Sequence, residues 1–388
     1  MSMETRKICV IVINRANYGR VKSVLHAIQE HPGLELQLVV GSSMLLPCFG
    51  EAVNIVQEDG FPIHARVNFV VEGQTPATMA ISAGLGIIEL ATVFENLQPD
   101  MVFVIADRYD ALSAAVAAAY MNIPVAHLQG GEVSGSIDES VRHAITRLAH
   151  LHFPATQLSA ERLIKMGEPP ETVYHVGCPS LDLAHKALHI PLTTLPLNGT
   201  GHGQCQRVFN LTQPYLLVAQ HPVTTEQQAA ASQIKCTLHA LLELQMPTIL
   251  LKPNVDAGGR AMAQQIEAFC QFYRPEFLYL FTNFAPEDYI RILSGSACFI
   301  GNSSSALREG SFLGTPVVCV GNRQAGRERS PNVIDVEYDC DEIVAAVRKQ
   351  LAHGRYERDL MYGDGHASQR IVDILATAKI NLQKTLSL

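Results

Sequence analysis

Short apolar runs with no polar alternation recur along the chain, separated by amphipathic stretches of helical period. Residues 8–13, 36–40, 101–105, 124–128 and 151–154 predict one series of buried strands. Residues 215–219, 248–252, 277–280, 297–300 and 316–320 predict a second. Strands that are apolar on both faces and alternate with helices form parallel sheets covered by helices on each side. The pattern therefore predicts an α/β protein of two Rossmann-like, doubly wound halves that face each other across a cleft. In such sheets chemistry gathers in the loops after the carboxyl ends of the strands. Periodicity loosens after Gly177-Cys178-Pro179, and the Pro/Gly/Thr-rich stretch 189–213 reads as a loop or excursion. These breaks predict a first half over 1–178 and a second over 179–365, with the closing segment of about 366–388 packing back on the first half.

A chain of 388 residues exceeds one ordinary core, which agrees with two domains. A net charge of −8 argues against nucleic acid or an acidic membrane as partner, while a local basic pocket for phosphate stays open. The nine cysteines show no C-x-x-C pair, and several sit in apolar runs such as KICVIVI and PVVCV. They read as small buried hydrophobes in a reducing compartment. The apolar run near the start is too short for a signal peptide or a membrane span, so a cytoplasmic location is expected. Histidines and cysteines lack metal-ligand spacing, which predicts no metal site. The Walker A lysine signature and the three-glycine dinucleotide fingerprint are absent as well.

Candidate chemistry concentrates in GGEVSGSIDESVRHAITRLAH, residues 130–150. Ser136 and Glu139 have capping-box spacing, which predicts a helix from Ile137 with Asp138 and Arg142 four apart on one face, buried by Ile145 and Leu148. A surface helix with one ion pair is the plain alternative. After the first strand Arg15 precedes a helix, a setting suited to an anion such as phosphate. Asp107 follows the strand at 101–105 and Glu132 the strand at 124–128. Acids at neighbouring strand ends, beside glycines that let a substrate approach the backbone, suit proton transfer. Asp107 could equally cap the next helix. In the second half His221 stands at a strand end, where a structural hydrogen bond is the simpler role. Gly301-Asn302-Ser303-Ser304-Ser305 offers small hydroxyl residues and helix-start N–H groups to a diphosphate, with Glu309 expected a turn or two along the same helix near ribose hydroxyls.

Taken in order, NRANYG, DRYDAL, the 130–150 stretch, QHPVTT, PNVDAG, GNSSS, GNRQAGRE and YGDG span nearly the whole chain. Together they resemble the hydrolysing UDP-N-acetylglucosamine 2-epimerases, most closely the sialic-acid branch. The resemblance implies a GT-B type fold and cleavage of UDP-N-acetylglucosamine to N-acetylmannosamine and UDP, with no metal or nicotinamide cofactor. The route it implies is anti elimination to a 2-acetamidoglucal followed by hydration. It also implies that Arg15, Arg108, His221, Asn254, Phe284, Ser303, Ser304, Glu309 and Arg323 hold the nucleotide. Asp107, Glu132 and Asp138 would be the acid/base group, with Arg142 orienting carboxylates or sugar and His221 contributing to catalysis. A homodimer or homotetramer is implied too. Asn17 and Gln129 depart from the acids usual at their positions in relatives. The same motifs admit a UDP- or GDP-linked 2,4-diacetamido sugar as substrate, a non-hydrolysing 2-epimerase, a silent sugar-nucleotide-binding protein, or a GT-B glycosyltransferase.

Overall fold

The computed structural model describes residues 5–73, 75–187 and 209–385. Its first half carries β1 Arg6–Val12, β2 Leu34–Gly41, β3 Ile63–Val67, β4 Met101–Ile105, β5 Val125–Leu128 and β6 Leu151–Phe153. Its second half carries β7 Leu216–Ala219, β8 Thr248–Leu251, β9 Leu278–Phe281, β10 Cys298–Gly301, β11 Val317–Val320 and β12 Val333–Val336. All pairings are parallel, and the sheets run β3-β2-β1-β4-β5-β6 and β12-β11-β10-β7-β8-β9. These two orders are one doubly wound topology written twice, with the order reversing between β1 and β4 and between β7 and β10.

The apolar pattern predicts ten of the twelve strands within a residue or two. It misses β3 (IHARV) and β12 (VIDV), each at one of the two outer edges of its sheet and carrying charged residues, where only partial burial is needed and polar residues are tolerated. The central strands β4, β5, β7, β8, β10 and β11 are buried along their length.

One face of the first sheet packs Ile8, Val10 and Phe103 against Tyr18, Val21 and Leu25 of helix Arg15–Glu30. Ile371, Val372 and Leu375 of the final helix, Ala367–Thr377, complete that core, and Arg6 Nη1 of β1 donates to the carbonyls of Leu375 (2.5 Å) and Ala378 (3.1 Å). On the other face Leu90 and Phe94 of helix Pro76–Leu97 meet Val39, Val102 and Val104. That helix is the one described helix long and apolar enough to cross a membrane. Ser82, Gly86, Leu90 and Phe94 form its packed side, while Ile81, Leu85 and Ile88 face outward. Helix Ser180–Ala187 joins the second half's core through Leu181, Ala184 and Ala187. Most of the expected excursion at 189–213 lies outside the described residues, and its last part returns with Phe209 packed edge-on against Tyr215 and Tyr279. The described cysteines are unpaired. Cys9, Cys178, Cys298 and Cys319 are buried as expected, whereas Cys48 is exposed.

Candidate active site

The carboxyl ends of both sheets converge on a cleft of about 110 Å³. Asn14, Arg15, Asn17 and Arg20 line it from the exit of β1 and the helix that follows. Ser43, Phe49 and Ala52 enter after β2, Asp107 and Arg108 after β4, and Asp138 from the start of the helix that follows β5. Across the cleft stand His221 after β7, Asn254 and Val255 after β8, Ser303 and Ser304 after β10, and Arg323 after β11. Asn14 starts its helix by accepting the Asn17 N–H at 2.9 Å, which aims Arg15 over the cleft. There the Arg15 guanidinium donates to the carbonyls of Thr282 and Lys252 in the opposite half. Arg20, a turn and a half further on, reaches Ser304 Oγ at 2.9 Å.

The chain leaves β4 through Ala106 in the left-handed region (φ +63°), and Asp107 follows it into an ion pair with Arg142. Arg108, not Asp107, holds the cap position of the next helix. Burial favours the neutral form of Asp107, but Arg142, Arg20 and Arg327 outweigh it and hold the carboxyl well below the usual range. Asp138 is in the opposite situation. Burial, then the charges of Asp107 and Asp256, raise its carboxyl to about 6, against the pull of Arg323 and Arg108. A carboxyl poised there exchanges a proton near neutral pH.

Several details of the 130–150 stretch differ from the sequence reading. Its helix runs Asp138–Leu148, and no capping box forms. Glu139 Oε2 accepts the Ser134 N–H (2.9 Å), and Ser136 Oγ donates to Asp138 Oδ2 (3.0 Å). The expected Asp138–Arg142 pair is absent because Arg142 turns inward, fully buried, to the Glu132 carbonyl (2.6 Å), Ser134 Oγ (3.0 Å) and Asp107. Glu132 stands outside the cleft lining. It is 2% exposed, between Arg308 (2.5 Å) and Arg327 (2.9 Å) of the other half. Burial opposes its ionisation, but Arg308, Arg327 and Arg142 bring its carboxyl down to about 2. Such a group is the anion of a buried network, poorly suited to proton transfer.

Glu309 also departs from expectation. The segment after β10 is a 3₁₀ turn, Ser304–Ala306, and Glu309 opens a separate short helix, Glu309–Leu313, outside the cleft lining. Phe284 packs on Phe281 with ring centroids 4.8 Å apart and does not line the cleft either. The two unusual residues separate. Asn17 lines the cleft, whereas Gln129 is buried away from it and donates to Cys178 Sγ at 3.1 Å.

On the second half's side Asn302 cross-links the His221 loop, accepting the His221 N–H (2.7 Å) and donating to its carbonyl (2.8 Å). Burial, then Arg323, Arg15 and Arg108, push the His221 imidazole well below its ordinary pKa, so it stands neutral beside three guanidiniums. Arg108 pairs with Asp256, which also accepts from Asn254 Nδ2. The cleft thus offers cationic and hydroxyl groups for a diphosphate and one carboxyl tuned for proton transfer. Arg20 and Asp256 were not singled out by the sequence. Arg20 carries a legible signal all the same, a second arginine on the inward side of the helix that Arg15 begins. Among the described residues Glu243, Cys340 and Asp341 come close enough together to share an ion, and they lie outside the cleft.

Comparison with known proteins adds a lineage to this geometry. The family described as UDP-N-acetylglucosamine 2-epimerase matches residues 26–376. A Legionella pneumophila protein named UDP-N,N'-diacetylbacillosamine 2-epimerase (hydrolyzing) is 35% identical over 97% of both chains. The Campylobacter jejuni GDP/UDP-N,N'-diacetylbacillosamine 2-epimerase (hydrolyzing) is 30% identical over 86% of this chain and 85% of its own. A Neisseria meningitidis UDP-N-acetylglucosamine 2-epimerase is 28% identical over 95% of each. Among solved structures, UDP-GlcNAc 2-epimerase from Neisseria meningitidis superposes with a TM-score of 0.76 at 18% identity, covering 95% of this chain and 99% of that one, which shows the GT-B-like fold.

Proposed function

The chain belongs to the UDP-N-acetylglucosamine 2-epimerase family, and from that premise we propose that it is a hydrolysing 2-epimerase acting on a UDP-linked 2,4-diacetamido sugar. The observation that carries the substrate is the similarity, end to end, to the Legionella enzyme named for that reaction. It favours the diacetamido alternative over the expected sialic-acid branch. UDP-N-acetylglucosamine is the second reading, supported by the lower similarity to the Neisseria enzyme.

In this reading the Asp138 carboxylate takes the C2 proton. The C2–H electron pair forms the C1=C2 bond, and the C1–O bond breaks with its electrons leaving on UDP. Arg15, Arg323 and the Ser303–Ser304 turn receive the charge that develops on the diphosphate, while neutral His221 can donate to it. Asp107, kept ionised by Arg142, keeps Asp138 basic enough to act. Water then adds its hydroxyl to C1, and a proton enters C2 on the opposite face, releasing free sugar of inverted configuration. Ligand pockets typically span roughly 300–1,000 Å³. In this reading the halves part to admit a nucleotide sugar, and the contacts of Arg15, Arg20 and Arg108 across the cleft are among those that yield.

The test is incubation of each sugar nucleotide in deuterated water without added metal, followed by NMR. Free 2-epimeric diacetamido sugar with deuterium at C2, formed faster than the N-acetylmannosamine product, supports the proposal. Faster release of N-acetylmannosamine favours the second reading. Intact epimerised UDP-sugar identifies a non-hydrolysing enzyme, and UDP binding without turnover a binding protein. The homo-oligomer and the cytoplasmic location belong to the same proposal. The outward Ile81, Leu85 and Ile88 supply a face for a second copy, and a polar nucleotide-sugar substrate suits the cytoplasm.

A further inference from the structure

Asp107 depends on a turn that its own neighbours do not favour. Ala106 adopts φ +63°, a conformation that costs any residue with a Cβ and that alanine leaves unless it is held. Two contacts hold it. The Ala106 N–H donates to the Leu128 carbonyl at 3.0 Å, and the Ala106 carbonyl lies 2.7 Å from His127 Nε2.

The ring is seated for this contact. His127 lies on β5 opposite Val104 of β4, fully buried, and its Nδ1 faces Thr146 Oγ1 at 3.4 Å. Gly130 leaves room for it, since a Cβ there would come within 3.0 Å of Nδ1. A carbonyl only accepts, so the proton sits on Nε2 and Nδ1 is left to accept from the threonine hydroxyl. Burial brings the imidazole down to about 3, against the Ala106 carbonyl, with His152 and Arg142 adding to the effect and Asp107 opposing it. The neutral donor tautomer therefore persists at working pH.

We propose that His127 is a positioning residue for the reaction: its Nε2–H clamps the Ala106 carbonyl, keeps that residue left-handed, and so holds Asp107 turned toward Arg142 and the cleft. The inference rests on the reading of this cleft as the epimerase site. Without the clamp Ala106 relaxes to negative φ and Asp107 swings off Arg142. The groups facing Asp138 are then Asp256, Arg323 and Arg108 without the Asp107 charge, so its carboxyl becomes more acidic.

The experiment compares wild type, His127→Phe, His127→Gln and the double variant His127→Phe/Ala106→Gly, with His127→Asn in reserve should the phenylalanine variant fail to fold. His127→Phe is expected to lose kcat on the order of 10²-fold, the cost of a misplaced group, with KM moving less than about threefold and the acid limb of kcat/KM shifting to lower pH. His127→Gln, whose amide can donate to the same carbonyl, retains more activity. Ala106→Gly restores about fivefold to the phenylalanine variant, because glycine adopts the left-handed turn unaided. A role in core packing alone predicts loss of folded protein, no rescue by a glycine elsewhere in the chain and an unmoved pH profile, and that result overturns the proposal. Carbon-13 titration of the Asp138 carboxyl separates the two readings. If wild type releases no free sugar, the epimerase reading falls, and an Asp138 titration identical in wild type and His127→Phe independently overturns the clamp.

Discussion

Glu132 and Asp138 leave the same short loop, and both meet arginines from the other half of the molecule, yet they have become different kinds of group. Glu132 is enclosed by Arg308 and Arg327 with its carboxyl near 2, whereas Asp138 opens on the cleft between Asp107 and Asp256 with its carboxyl near 6. The acids are alike in sequence, and the groups facing them across the seam decide which one can move a proton. One side of the seam is a fixed pin and the other a working gap. Gly135 lies on the pinned side, where a Cβ would sit 2.1 Å from the Asn322 carbonyl.

The contrast breaks most visibly in activity. Asp138→Asn is expected to lower kcat/KM on the order of 10²–10⁴-fold with no loss of stability, its urea unfolding midpoint at neutral pH lying above that of wild type, and steady-state kinetics beside a denaturation curve checks both halves of that statement. Glu132→Ala strands two buried guanidiniums and is expected to cost about 3–5 kcal/mol of stability, read from urea unfolding. If Glu132→Ala left stability intact, the pin would be misassigned.

The pH dependence of stability should carry opposite signs at the two carboxyls. The Asp138 carboxyl is raised in the fold, from 3.8 to about 6, so its contribution is fully present below 3.8 and is lost as pH rises through 6. Asp138→Asn should therefore gain on wild type between pH 4 and 6.5, by on the order of 1–3 kcal/mol. The Glu132 carboxyl is lowered, from 4.5 to about 2, so its contribution is present above 4.5 and disappears as pH falls through 2. Unfolding free energies of the two variants across pH 2–7, subtracted from wild type, should slope in opposite directions. The smallest effect concerns Asp256. Asp256→Asn frees Arg108 and removes one negative neighbour of Asp138, so UDP binding by calorimetry should tighten by about threefold, the scale of one partly screened ion pair, and the acid limb should shift to lower pH.

The halves, the central strands and the strand-end loops are legible in the sequence because burial on both faces leaves continuous apolar runs. Of the four edge strands β3 and β12 are not, since a half-exposed strand with charged residues carries no such run, whereas β6 and β9 keep theirs. Nine of the candidate residues, Arg15, Asp107, Arg108, Asp138, His221, Asn254, Ser303, Ser304 and Arg323, line the cleft. The rule of strand carboxyl ends marks the loops of most of them, while Asp138 is marked by its place at a helix start and Arg323 only by the family resemblance. What local pattern cannot supply is the partner chosen from the distant half. Nothing near Glu132 announces Arg308 and Arg327, and nothing near Arg142 shows that it turns from Asp138 to Asp107. The absent capping box has a local origin instead, because Glu139 and Ser136 take partners within their own loop and helix start.

The final helix has a consequence for biogenesis. Ile371, Val372 and Leu375 close the core of the first sheet, and Arg6 is tied to the carbonyls of Leu375 and Ala378. A nascent chain can assemble all six strands of that sheet long before those residues leave the ribosome, and until then one side of the sheet carries an open apolar gap. Maturation of the first half therefore waits on synthesis of that helix, so chains halted before Ala367 should be recognised by chaperones and proteases even though both sheets are already encoded.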